Sequence, residues 1–166
     1  MVEIESIKEK YFPNITFVKE IVRSLVAQGI KINRNSDYDS QCVILEEHYK
    51  NQLRYRNMIT DRCSIDAFVY ATYDYLQGKY NLIEHLEHER LMLLSLGDYD
   101  KFFYIPVEFE MTEDSVRDTN KQYQKDIDNL FKVIFDKYNI EPTILKGTIE
   151  ERKKTFLKEF GMKLSK

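Results

Sequence analysis

The sequence predicts an α/β fold built on a mainly parallel sheet, and three observations carry that expectation. Short runs rich in β-branched and aromatic residues alternate with longer stretches of helical periodicity. One of the short runs, residues 101–107 (KFFYIPV), is apolar along nearly its whole length, as a strand covered on both faces must be. The chain of 166 residues is 43% hydrophobic, with 10 Phe and 12 Tyr, which suffices for one domain with a core of its own.

The elements follow in order. Residues 3–11 (EIESIKEKY) place Ile4, Ile7 and Tyr11 on one helical face, and Pro13 closes them off. Residues 15–18 have the composition of a buried strand. Residues 20–28 are helical, with Ile21, Leu25 and Gln28 on one side and Gly29 where a C-cap glycine belongs. Residues 30–37 are polar and read as a loop. A long helix is expected over 38–56 and a short strand over 57–60, followed at once by Asp61 and Arg62. Helices over about 64–77 and 80–96 come next, each closed by a glycine, Gly78 and Gly97. After the strand at 101–107, residues 108–118 form an acidic loop, and Thr119 with Gln122 makes a capping box for a helix to about 139. Residues 142–145 are a last short strand, Gly147 ends it, and 149–160 form a closing helix. With no linker, internal repeat or low-complexity tract, residues 1–166 are expected to be a single domain.

Charge and composition exclude several function classes. Twenty-five Lys and Arg against 28 Asp and Glu give a net charge of −3, which leaves no electrostatic footprint for nucleic acid. The best apolar run, residues 91–96, is far short of the ~20 residues of a membrane span. The N-terminus lacks the apolar stretch of a secretory signal, so a cytoplasmic location is expected. Cys42 and Cys63 make neither a disulfide framework nor a zinc site by themselves. The five glycines are scattered, and the closest pair, Gly147 and Gly161, stands 14 positions apart. No GxxxxGK[ST] phosphate loop and no GxGxxG loop therefore exists within these residues.

Four constellations are candidates for chemistry. In a parallel α/β sheet, ligands bind beyond the carboxyl ends of the strands. There Asp61 is placed to hold Mg²⁺ through water and Arg62 to grip a phosphate, although a solvated ion pair would look the same. Arg117 lies in the acidic loop after the 101–107 strand, the arrangement by which lids cover a transferring phosphoryl group, or it is simply an exposed arginine near a helix start. Glu20 and Arg23, one helical turn apart, face a substrate or form a surface i,i+3 pair. The segment EHLEHER (84–90) offers His85 and His88, but it is not HExxH, and a charged, solvated helix face is the better reading. Cys63 has no histidine in its surrounding segment and reads as a packed cysteine rather than a nucleophile.

The order of the pieces carries a resemblance. The runs are NITFVKEIVRSLVAQG (14–29), NMITDRCSIDAFVYA (57–71), YDKFFYIPVEFEMTEDSVRDTNKQYQKDID (99–128) and TILKGTIEERKKTF (143–156). From Lys8 onward the chain resembles the NadR-type AAA domain, a P-loop NTPase family close to the nucleoside and nucleotide kinases. The resemblance implies a three-layer P-loop kinase-like fold that binds ATP and Mg²⁺ and transfers a phosphoryl group to a small nucleoside- or nucleotide-like acceptor. It places the family's E-x-x-R on Glu20 and Arg23, the Walker B Asp-Arg on Asp61 and Arg62, the lid (about 108–120) arginine on Arg117, and the loop by the adenine on Gly147 and Thr148. It also implies that the family's first strand and glycine-rich Walker A loop, roughly 20 residues, are missing from this chain. That strand would lie at the centre of the sheet, between the third and fourth. On this reading the domain is truncated, is inactive or impaired alone, and has inner sheet edges that invite a partner chain or self-association to complete the sheet. The alternative is a non-catalytic binding or regulatory protein derived from such a kinase.

Overall fold

The structure, a computed structural model, describes residues 7–106 and 120–163. The elements are α1 (Lys8–Tyr11), β1 (Thr16–Val18), α2 (Val22–Ala27), α3 (Tyr38–Arg54), β2 (Met58–Thr60), α4 (Ser64–Leu76), α5 (Leu82–Leu96), β3 (Phe103–Tyr104), α6 (Lys121–Lys137), β4 (Thr143–Ile144) and α7 (Ile149–Lys158). A single 3₁₀ turn (Asn33–Asn35) interrupts the polar loop before α3.

The helices start where side chains can serve their free backbone N–H groups. Asp37 Oδ1 accepts from Ser40 N at 3.0 Å ahead of α3, and Asn81 Oδ1 accepts from Ile83 N and Glu84 N ahead of α5. Asn120 caps α6, accepting from Tyr123 N at 2.9 Å; Thr119, where a capping box with Gln122 is expected, lies outside the described residues. At the far end of α5, Gly97 keeps φ at −70°, so that helix ends without the left-handed glycine expected there, whereas Gly78 after α4 adopts φ +74°.

Helices α3, α4 and α5 pack on one another, and α6 lies against α4. Their shared core includes Leu45, Ile65, Phe68, Val69 and Met92, all 1% exposed or less. Each such side chain contributes roughly 1.5–3 kcal/mol on burial. Two polar pairs sit inside this layer: Ser95 Oγ donates to Ser64 Oγ at 2.5 Å, and Lys79 Nζ stands 2.7 Å from the buried Asp74 carboxylate. A second core joins α1 and α7 through Phe12, Phe156 and Leu157, and Phe17, Ile59 and Phe103 of the strands pack against it.

All pairings between the described strands are parallel, as expected, but they form two ladders rather than one. Strand β1 pairs with β2 in the register Thr16–Met58, Phe17–Ile59 and Val18–Thr60. Strand β3 pairs with β4 through Phe103–Thr143 and Tyr104–Ile144. The expected strand over 101–107 shrinks to two residues: Pro106 has no N–H to give, and Val107 lies outside the described residues. Its side chains are half-buried rather than covered on both faces, and Ile105 is 43% exposed. No helix among the described residues is long and apolar enough to cross a membrane.

Candidate nucleotide site at the end of strand β2

Strand β2 hands its chain to α4 through a tight turn. Asp61 N donates to Val18 O at 2.9 Å, so the ladder runs one residue past Thr60. Arg62 then adopts φ +70°, a left-handed conformation that costs a non-glycine residue about 1–2 kcal/mol. Thr60 Oγ1 donates to Arg62 O at 2.9 Å and pins the turn. Beyond it, Asp66 Oδ2 accepts from Cys63 N at 2.9 Å and starts α4. The strand end and the helix start thus grip Asp61 and Arg62 from both sides.

The turn aims Arg62 at two partners. Its Nε lies 2.8 Å from Glu20 Oε1, and its guanidinium sits 5.7 Å from the centre of the Tyr70 ring, with Nη1 donating to the Tyr70 hydroxyl at 3.4 Å. Burial works against the Arg62 charge, but Tyr70, Asp66 and Glu20 outweigh it and raise its pKa above the ordinary arginine value. Burial raises the Asp66 pKa, with Arg62 pulling the other way. Arg23 joins from α2, Nε 3.4 Å from Glu20 Oε2, so Glu20 bridges both arginines. Asp61 differs from its neighbours: its carboxylate makes no hydrogen bond or ion pair among the described residues.

Glu20, Asp61 and Arg62 open onto a cleft of about 1160 Å³. Arg23, Gly147 and Thr148 do not line it, and Arg117 with nearly all of the 108–120 lid lies outside the described residues. Gly147 and Thr148 do local work. Gly147 has φ +79°, and a Cβ there would collide with the Glu151 carboxylate, while Thr148 and Glu151 form the capping box of α7. The residue that reaches the cleft from this loop is Arg152, whose Nε donates to Gly147 O at 3.0 Å. Its signal in the sequence is its place directly after a Thr-x-x-Glu box and one turn on from Thr148, which fixes its direction relative to the loop.

The histidines of 84–90 are not on a solvated face. His85 stacks on Phe68 and Tyr75, and His88 is fully buried against Tyr38 and Tyr80. Cys42 Sγ lies 3.4 Å from His88 Nε2, but burial pushes the thiol pKa up and the imidazole pKa down to about 4, which favours the uncharged pair. Burial likewise raises the Cys63 thiol well above its ordinary value, in keeping with a packed cysteine. Among the described residues no group of three or more His, Cys, Asp or Glu could hold a metal ion.

The profile of the AAA domain family matches residues 4–152, most of the chain. The chain belongs to the AAA domain family. No curated protein and no solved structure matches it. Membership makes this a nucleotide-binding, P-loop NTPase-like domain, a class that takes its nucleotide with Mg²⁺. The residues present fit that pair of ligands unequally. Mg²⁺ keeps several waters and needs only one or two protein carboxylates, so the unengaged Asp61 at a strand end suits it. The β- and γ-phosphates of the AAA domain's nucleotide need a run of backbone N–H groups and a lysine on a glycine-rich loop, and the 166 residues contain no such loop.

Proposed function

We propose that this AAA domain is an ATP-dependent phosphotransferase shell of the NadR-type, nucleoside- or nucleotide-kinase-like kind, which works on a small nucleoside-like acceptor. The observation that carries the reading is the Asp61–Arg62 turn: a free carboxylate and a partnered arginine held rigidly at the carboxyl end of a parallel strand, where both line a cleft. In this reading Asp61 is the Mg²⁺ ligand through water. Arg62, oriented by Glu20 and Tyr70, and Arg23 on its other side face phosphate or acceptor. Arg117 is the lid cation, and Gly147 and Thr148 border the base. Because no glycine-rich loop is among these residues, the 166-residue chain binds nucleotide weakly and turns over slowly or not at all.

The scattered glycines favour a second reading, a non-catalytic binding or regulatory protein that keeps the kinase shell. The two separate in an NMR titration of the chain with ATP, with and without Mg²⁺. The phosphotransferase reading expects weak shifts of the amides at Asp61, Arg62 and Cys63 that need Mg²⁺ and vanish in Asp61→Asn. No Mg²⁺-dependent shift there at about 10 mM ATP, a level that reveals even millimolar affinity, overturns it in favour of the second reading.

A further inference from the structure

The cleft has a shape that a nucleotide does not explain. It is walled by Met58, Ile59 and Thr60 of β2 and by Phe103 and Tyr104 of β3, while no residue of β1 or β4 lines it. Each ladder therefore turns its inner strand toward the same space. Among the described residues β2 is hydrogen-bonded to β1 alone and β3 to β4 alone, so two open strand edges, with their unpaired N–H and C=O groups, face one cavity.

Helices cover this space from both sides. Ile127 and Phe131 of α6 and Phe156 of α7 line it, as does Phe160 just beyond α7. From the strand spacing, the layer spacing and the rise per residue, a strand between two layers takes about 160 Å³ per residue, so 1160 Å³ holds roughly seven. A strand with helices on both faces is apolar on both, not alternating. The wall is acidic on balance, with six carboxylates against four basic side chains, so basic residues at the ends of an occupant are favoured.

We propose that the cleft between β2 and β3 is a strand-acceptor slot. It takes an extended peptide segment of about five consecutive aliphatic or β-branched residues, flanked by basic ones, which pairs with both edges and joins the two ladders into one sheet. Residues 1–6 (MVEIES) and 107–119 (VEFEMTEDSVRDT) are acidic and hold no run of five aliphatic or β-branched residues, so the occupant is another stretch of polypeptide. The inference rests on backbone edges and not on the nucleotide reading, and either can fail without the other.

The test is a fluorescence titration of the 166-residue chain with a labelled synthetic nonapeptide carrying five central Val and Ile residues and two lysines at each end. Two further peptides are N-methylated on the backbone at either the odd or the even central positions. In a strand paired on both sides, alternate N–H groups point to opposite edges, so each set removes the donors to one edge. The slot predicts one-to-one saturable binding, weakened about tenfold or more by either set. Hydrogen exchange then shows new protection at 58–60 and 103–105. Equal binding of all three peptides means a merely greasy pocket and overturns the proposal. So does loss in one set only, which means a single edge, or no saturable binding. Concentration-dependent dimerisation giving the same protection without peptide assigns the slot to a second copy and overturns the proposed occupant.

Discussion

The helical layer and the strand layer solve the same problem to different degrees. In the first, Phe68, Val69 and Met92 are closed off from water, and two buried polar pairs, Ser64 with Ser95 and Asp74 with Lys79, tie the helices and their loops together. In the second, β2 and β3 keep their side chains half-buried and each pairs with one neighbour. The contrast locates stability in the helices and adaptability in the strands. A packed core resists change because every volume lost leaves a cavity, whereas a strand edge on an open cleft has spare valence. That is where the proposed ligand chemistry sits.

The largest test of the contrast is a pair of truncations of the same kind. Phe68→Ala, in the closed layer, is expected to cost about 3–5 kcal/mol by urea unfolding, while Phe103→Ala, beside the cleft, costs clearly less. Equal costs would mean that the strand layer is as tightly packed as the helices. Next comes Lys79→Met, which leaves the Asp74 carboxylate buried with only the Ser36 hydroxyl, and is expected to cost about 3 kcal/mol, with Lys79→Arg recovering part of it.

Acid tests the closed layer through His48. Buried on α3, with Arg62 adding a smaller effect, its imidazole has a pKa lowered from the ordinary 6.5 to about 4. The unfolded chain therefore takes up this proton first, and stability is lost as pH falls from about 6.5 toward 4, by about 3 kcal/mol at the lower end. In His48→Gln the stability–pH profile between pH 7 and 4 is flatter than in the parent chain. An unchanged slope would show that His48 is reached by water when folded.

Much of this was legible in the residues. Period and caps mark the helices: the strong repeat of Ile127, Phe131 and Ile134 predicts α6 to within a few residues at each end. The short strands were found because Ile, Phe and Val cluster in them, but their extent was not, since pairing and not composition decides how far 101–107 remains a strand. At the site, Asp61 and Arg62 were visible from their place after MIT. The Glu20 bridge to Arg62 was not, because it joins residues 42 positions apart and depends on β1 lying beside β2. The inward turn of His85 and His88 was hidden for a similar reason. Their neighbours Glu84, Glu87 and Glu89 make the segment look solvated, and the aromatic partners Phe68, Tyr38 and Tyr80 come from elsewhere in the chain.

The smallest expected effect separates structure from function most cleanly. Glu20 holds two arginines, so Glu20→Gln loosens Arg62 and leaves its half-buried charge less balanced, at a cost of about 1 kcal/mol. Asp61 holds nothing among the described residues, and Asp61→Asn should leave the unfolding midpoint within about 0.5 kcal/mol of the parent. A residue placed so rigidly by its backbone, with Asp61 N on Val18 O and the left-handed Arg62 behind it, yet idle in its side chain, is what the proposed Mg²⁺ role requires. If Asp61→Asn proves as destabilising as Glu20→Gln, the carboxylate is part of the scaffold, and the strand end loses its distinction from the closed helical layer.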